Sequence, residues 1–281
     1  MPEFIDDHGV AIVYDVHPAA GEPRGVVQLL HGVGEHAGRY GALIQALTAA
    51  GFTVYADDHR GHGRTGMTQH GGDATKLGTL GIGGHSAAVA AVAKFTRLIR
   101  DENPGRPLIL LGHSWGSFLS QKLFNLQPEA YSAVILSGSA LLTPLSLSAA
   151  PLNARWKGPG ATGTEWLSSD LSVGKAFLED PLNTSAPLLK LFGFANALRL
   201  YGLPRRRLPD VPMLLLVGSD DPVGGPRSVA KLEKAYRERS GLTDVTTIVY
   251  PGARHEIFNE VQQAEVRADL ISWIDARFAV R

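Results

Sequence analysis

Cysteine is absent from the 281 residues. That removes disulfides, thiolate nucleophiles and cysteine-ligated metals together, and it suits a reducing compartment. A dominant charge is missing too. The 27 Lys and Arg residues face 27 Asp and Glu residues, so no net field draws a nucleic acid or another acidic polymer. No run reaches the roughly 20 uninterrupted apolar residues of a membrane-spanning helix. The opening stretch, MPEFIDDHGVAIVYDVHP, lacks the basic segment and apolar core of a signal peptide. A soluble, cytoplasmic protein is the expectation. Internal repeats and low-complexity tracts are also lacking.

What is present is an ordinary apolar fraction, 44%, in a chain long enough for one large α/β domain carrying an insertion. Val10–Val16 alternates and is expected to pair with Glu3–Asp6 as an opening hairpin. Gly25–Leu30, Thr53–Ala56, Leu108–Leu111, Ala133–Leu136, Met213–Val217 and Thr246–Val249 are short and apolar on both faces. Such runs suit parallel strands covered by helices on either side. Helical patterns lie between them at Tyr40–Ala50, Gly84–Asp101, Ser117–Leu126 and Pro226–Arg239, and Val261–Phe278 follows the final run. The alternation predicts a mostly parallel, doubly wound sheet. It fails over residues 139–209, too long for a plain loop. That stretch is expected to be a small helical insertion over the edge of the sheet, with residues 1–138 and 210–281 forming the core.

Ligands of open parallel sheets sit beyond the carboxyl ends of the strands, and four of those ends are polar. After Leu108–Leu111 comes Gly112-His113-Ser114-Trp115-Gly116. A serine between strand and helix, with glycine two residues before and after, can take the sharp turn that exposes a nucleophilic Oγ. The helix starting at Trp115 aims its amides where negative charge would develop. After Gly25–Leu30, the His31-Gly32-Val33-Gly34 turn can present the Val33 amide to the same point, pairing with that of Trp115 as an oxyanion hole. That backbone role is read as independent of the His31 side chain. After Met213–Val217 stand Asp220 and Asp221, which compete to orient a histidine; Asp221, directly before a proline, is favoured, and Asp220 could cap the turn. After Thr246–Val249 comes His255, able to reach a serine with one ring nitrogen and an aspartate with the other.

His31, His36, His59, His62 and His85, with Asp57 and Asp58, raise the question of a metal. Their spacing is not that of a helical zinc motif, and carboxylates followed by Arg60 more often form internal ion pairs. Neither a metal nor any other cofactor is expected, and His113 is expected to pack beside the elbow.

With these residues in place, the chain resembles the α/β-hydrolases, and more narrowly the monoacylglycerol lipase and bacterial lysophospholipase group. HGVGEHAGRY, ADDHRGHGRTG, LLGHSWGS, VGSDDPVG and YPGARHEIFNE match that group's motifs in order, and TGTEWLSSDLSVGKAFLEDPL is similar to a cap segment of its bacterial members. The resemblance implies Ser114 as nucleophile, Asp221 as acid, His255 as base, and the Val33 and Trp115 amides as the oxyanion hole. Trp115 replaces a frequent methionine, which alters pocket shape rather than chemistry. The implied activity is hydrolysis of a lipid-like ester, a monoacylglycerol or lysophospholipid, through an acyl-enzyme. The apolar stretch Leu188–Leu200, through Leu188, Leu191, Phe192, Ala195 and Leu198, could line an acyl channel or touch a membrane surface. His31 and His113 are further candidates for the pocket wall. A small-ester, thioester or peptide hydrolase is the rival on the same fold, and a non-catalytic ligand-binding protein the rival of another class.

Overall fold

The computed structural model describes residues 1–147 and 150–278. Residues 148, 149 and 279–281, which fall within the expected insertion and core, lie outside the described residues. The described chain forms one eight-stranded sheet in the order β1-β2-β4-β3-β5-β6-β7-β8. The strands are β1 (Glu3–Ile5), β2 (Ala11–His17), β3 (Gly25–Leu30), β4 (Phe52–Asp57), β5 (Leu108–His113), β6 (Ala133–Ser137), β7 (Met213–Gly218) and β8 (Val245–Tyr250). β1 pairs antiparallel with β2, as the alternation predicts, and β2 pairs antiparallel with β4. All other pairings are parallel.

Side chains alternate across the sheet, so the apolar strands feed two cores. Leu108 and Leu110 of β5 face one and Ile109 and Leu111 the other. The first core is closed by α3 (Gly84–Glu102), α4 (Trp115–Leu126) and α7 (Gly225–Lys234), the second by α1 (Gly41–Ala49) and α8 (Gln263–Asp275). Burial on both faces is why these strands read as continuous apolar runs.

One helix, α2 (Gly63–Gln69), has no counterpart in the sequence expectations. Two glycines in seven residues make it a poor helix by propensity. It forms because tertiary contacts hold it: the Val13 amide donates to Thr65 Oγ1 at 2.9 Å.

Between β6 and β7 the described residues contain no strand, only α5 (Leu171–Glu179), α6 (Leu188–Leu198) and short turns. This segment does not sit at the edge of the sheet. It lies over the strands' carboxyl ends, where the loop after β3 meets it through the Thr184 amide, bonded to Gly34 O at 2.8 Å, and the loop after β8 through the His255 and Glu256 amides, bonded to Trp166 O and Leu167 O. α6 is broken at Gly193, whose φ of 72° and ψ of 162° are nearly exclusive to glycine. Leu191 and Phe192 before the break are buried, whereas Leu189, Phe194 and Leu198 are exposed.

Candidate active site

Ser114 sits at the turn from β5 into α4 with φ 52° and ψ −122°. Only one other described non-glycine residue, Arg207, has positive φ. Such a conformation costs on the order of 1–3 kcal/mol and persists only where its surroundings impose it. Here they do. A Cβ on Gly112 would strike Gly116 O and Ser120 Oγ, and one on Gly116 would strike Leu30 O and His31 O. The chain therefore turns tightly, and the Ser114 amide bonds to Ser137 O at 2.9 Å.

Asp221 and His255 meet beyond β7 and β8. His255 Nδ1 lies 3.0 Å from Asp221 Oδ1, which also accepts the Val223 amide at 2.8 Å. Asp220 points away and pairs with Arg155 at 2.9 Å, so the two aspartates separate cleanly. Burial opposes a charge on His255, but Asp221, then Glu256 and Glu35, outweigh it and raise its pKa above the ordinary 6.5. Gly138, at the end of β6, links His255 to the elbow. It follows Ser137, which accepts the Ser114 amide, and a Cβ placed on it would lie 2.9 Å from His255 Cε1. His255 Nε2 is buried without a partner, and no hydrogen bond joins it to Ser114 Oγ. Catalytic hydrogen bonds often close only around substrate.

The loop after β3 approaches from the other side. A Cβ on Gly32 would come within 3.1 Å of Ser114 Cβ and 2.7 Å of Glu35 Oε1, so the close approach requires glycine. Glu35 Oε1 accepts both the Gly32 amide and Tyr40 Oη, each at 2.6 Å. Arg39 bridges Glu35 to Glu256, the neighbour of His255, at 2.6 Å on either side. The sequence reading missed this bridge. Its visible sign is the charge within HGVGEHAGRY and RHE, where apolar packing would suffice for a plain loop.

His113 packs beside the elbow, its ring 4.8 Å from that of His255. Leu191 and Phe192 are buried, and Phe192 rests 5.1 Å from the Trp115 ring; Leu188 is partly buried. Ala195 and Leu198 face outward, because the chain breaks between them and Phe192. His31 departs from the pocket expectation. It is fully enclosed, and both ring nitrogens bond to backbone. Of the other histidines weighed for a metal, His59 and His62 flank the Trp115 indole, and His59 pairs with Asp57 at 2.8 Å. Arg60 pairs with Asp6 of the opening hairpin, and Asp58 with Arg64, so the ion pairs are internal but reach farther than their sequence neighbours. Among the described residues no three His, Asp or Glu side chains are arranged to hold a metal.

A mostly parallel sheet with this strand order, a strained serine after β5 and an Asp–His pair after β7 and β8 define the α/β-hydrolase fold. The profile of the family described as serine aminopeptidase, S33, matches residues 21–262, and the chain belongs to that family. It is similar over nearly its full length to monoacylglycerol lipase of Mycolicibacterium smegmatis, at 36% identity covering 95% of this chain and 93% of that protein. Among solved structures, a thermostable carboxyl esterase from Bacillus coagulans superposes with a TM-score of 0.85 at 25% identity, covering 99% and 98% of the two chains. The monoacylglycerol lipase of Paleococcus ferrophilus does so with a TM-score of 0.70 at 28% identity, covering 95% and 99%.

Proposed function

We propose that the protein is a serine carboxylester hydrolase acting on a lipid-like ester, a monoacylglycerol or lysophospholipid, in the cytoplasm. The observation that carries the mechanism is the buried His255–Asp221 pair beside a serine held in a strained elbow. In this reading His255 takes the Ser114 proton as Oγ attacks the ester carbonyl. The Val33 and Trp115 amides bind the oxyanion, and Asp221 holds the imidazole and stabilises its charge. The tetrahedral intermediate collapses, the alcohol leaves with the proton from His255, and water activated by the same histidine releases the acid. Acyl transfer to water needs no cofactor beyond these groups.

The lipid part rests on the full-length lipase relatives and on residues 139–209, which we read as a cap over a core of residues 1–138 and 210–281. Leu188, Leu191 and Phe192 would wall the acyl site beside Trp115 and His113. The outer face of the cap exposes Phe194 at 73% and Leu189 at 61%, and we assign it to peripheral contact with a lipid surface. No helix among the described residues is long and apolar enough to cross a membrane. A peptidase reading, suggested by the family's name, fits less well. An aminopeptidase must anchor a substrate ammonium, and the buried carboxylates beside His255 and Gly32, Glu256 and Glu35, are already bonded to Arg39.

Hydrolysis rates across a panel of acyl lengths, head groups and aminoacyl amides test the assignment. Preference for medium or long monoacyl esters is expected; a preference for acetyl esters or amides would remove the lipid reading. Labelling by a fluorophosphonate that survives Ser114→Ala would remove the nucleophile.

A further inference from the structure

We infer that the His31 side chain is a positioning residue of the oxyanion loop, a neutral imidazole that sets the direction of the Val33 N–H by holding the Gly32 carbonyl. The inference deepens the proposed hydrolase reading and rests on it.

Two hydrogen bonds fix the tautomer. His31 Nε2 lies 2.9 Å from the His59 backbone amide. A backbone N–H can only donate, so Nε2 must offer its lone pair and the ring proton sits on Nδ1. Nδ1 is 2.7 Å from Gly32 O and donates to it. The two sides of the ring therefore tie the loop after β3 to the loop after β4.

The consequence falls on the next peptide. A trans peptide holds C=O and N–H antiparallel in one plane, and there are no cis bonds among the described residues. With the Gly32 carbonyl turned onto His31, the Val33 N–H must project the opposite way, off the imidazole. No acceptor within the described residues engages that N–H. On its other side Gly32 is held by the bond from its own amide to Glu35, and Gly34 is held by the Thr184 amide. The loop is braced at the Gly32 amide, the Gly32 carbonyl and the Gly34 carbonyl, and the Val33 N–H between them keeps no partner among the described residues.

A charged ring would undo the arrangement, since a proton on Nε2 would face the His59 N–H. Burial, then the neighbouring His59 and His62, hold the His31 pKa well below 6.5, against the opposing pull of the Gly32 bond. The groups facing the ring are His59, itself paired with Asp57, His62 and His36, with Glu35 beyond Gly32. The sequence expectation that the backbone donor is indifferent to the His31 side chain is thus revised.

Two substitutions separate the two bonds. Asparagine places an amide N–H near the position of Nδ1 and can still donate to Gly32 O. Glutamine reaches the position of Nε2 and can still accept from His59. His31→Gln is expected to lower kcat for a soluble ester at least tenfold with KM little changed, because misaiming one oxyanion donor removes part of the 10²–10³ such a donor supplies. His31→Asn is expected to recover most of that loss, and affinity for a trifluoromethyl ketone should fall and recover in step. Equal losses in both variants, or wild-type kcat in His31→Gln, would overturn the inference. Should both variants fail to fold, the ¹⁵N spectrum of the wild-type imidazole decides: a proton on Nδ1 supports the assignment and one on Nε2 sinks it. Failure of the hydrolase reading itself is distinct, since the wild type would then show no ester turnover, or Ser114→Ala would retain it.

Discussion

At the scale of single residues the site is a set of conformations that would not exist without their neighbours. Ser114 is the clearest case. Glycine tolerates its backbone angles at no steric cost, so Ser114→Gly should melt above Ser114→Ala, by up to about 1–2 kcal/mol once the relief of strain is set against the flexibility glycine adds to the unfolded chain. Both should lose turnover by at least about 10³-fold. Equal melting temperatures would mean that the turn is unstrained. His255 makes a second prediction. Catalysis needs its neutral form, and Asp221 raises its pKa above 6.5, so kcat/KM should fall on the acid side with a midpoint above that value. Asp221→Asn should move the midpoint down while lowering the plateau; an unmoved midpoint would detach Asp221 from the base. Ser114, Asp221 and His255 were legible in the sequence because each follows an apolar strand run, and strand ends converge in an open parallel sheet. His31 was not, because its role depends on which way one carbonyl turns. The Arg39–Glu256 bridge joins residues 217 positions apart, a distance at which no local pattern operates.

Elements follow the same division. Strands buried on both faces announce themselves by composition, and long helices such as α3 by periodicity. α2 did not, since its sequence opposes a helix and only packing supplies one. α6 was legible as apolar but not as two pieces, because a single glycine in a helical pattern does not by itself signal a break. That break sorts its side chains: Leu191 and Phe192 go inward, each worth roughly 1.5–3 kcal/mol of burial, and Phe194 goes out. Gly193→Ala should therefore destabilise the element by about 1–3 kcal/mol, seen as faster amide exchange across residues 188–198. Unchanged exchange there would show that the kink is not imposed by the rest of the fold. Gly34 is a harsher constraint, having φ 79° and the Thr184 carbonyl where a Cβ would go. Gly34→Ala is expected to push the cap off the oxyanion loop and lower kcat more than KM; the reverse split would place Gly34 in substrate binding instead.

Across the whole molecule, the buried histidines set the response to acid. Burial lowers the pKa of His31, His62, His85 and His113, to about 4 for His62 and His85. The unfolded chain binds protons at these positions from about pH 6.5 downward, whereas the folded chain resists until about pH 4. Stability is therefore lost progressively as pH falls through that window. His255, with its pKa raised, contributes in the opposite sense: its stabilisation is present below pH 6.5 and fades as pH rises through its folded value. Because the His255 contribution is already complete below pH 6.5, only the four buried rings act in that window, so the melting temperature should decline from pH 6.5 to 4, and a flat profile there would contradict their burial. The segment between β6 and β7 has its own global consequence. It supplies none of the three groups of the proposed triad, yet its Trp166 and Leu167 carbonyls hold the His255 and Glu256 amides and its Thr184 amide holds Gly34. A protease that nicks this segment would silence an enzyme whose reactive groups it never touches, so the cap acts as a fuse as well as a roof.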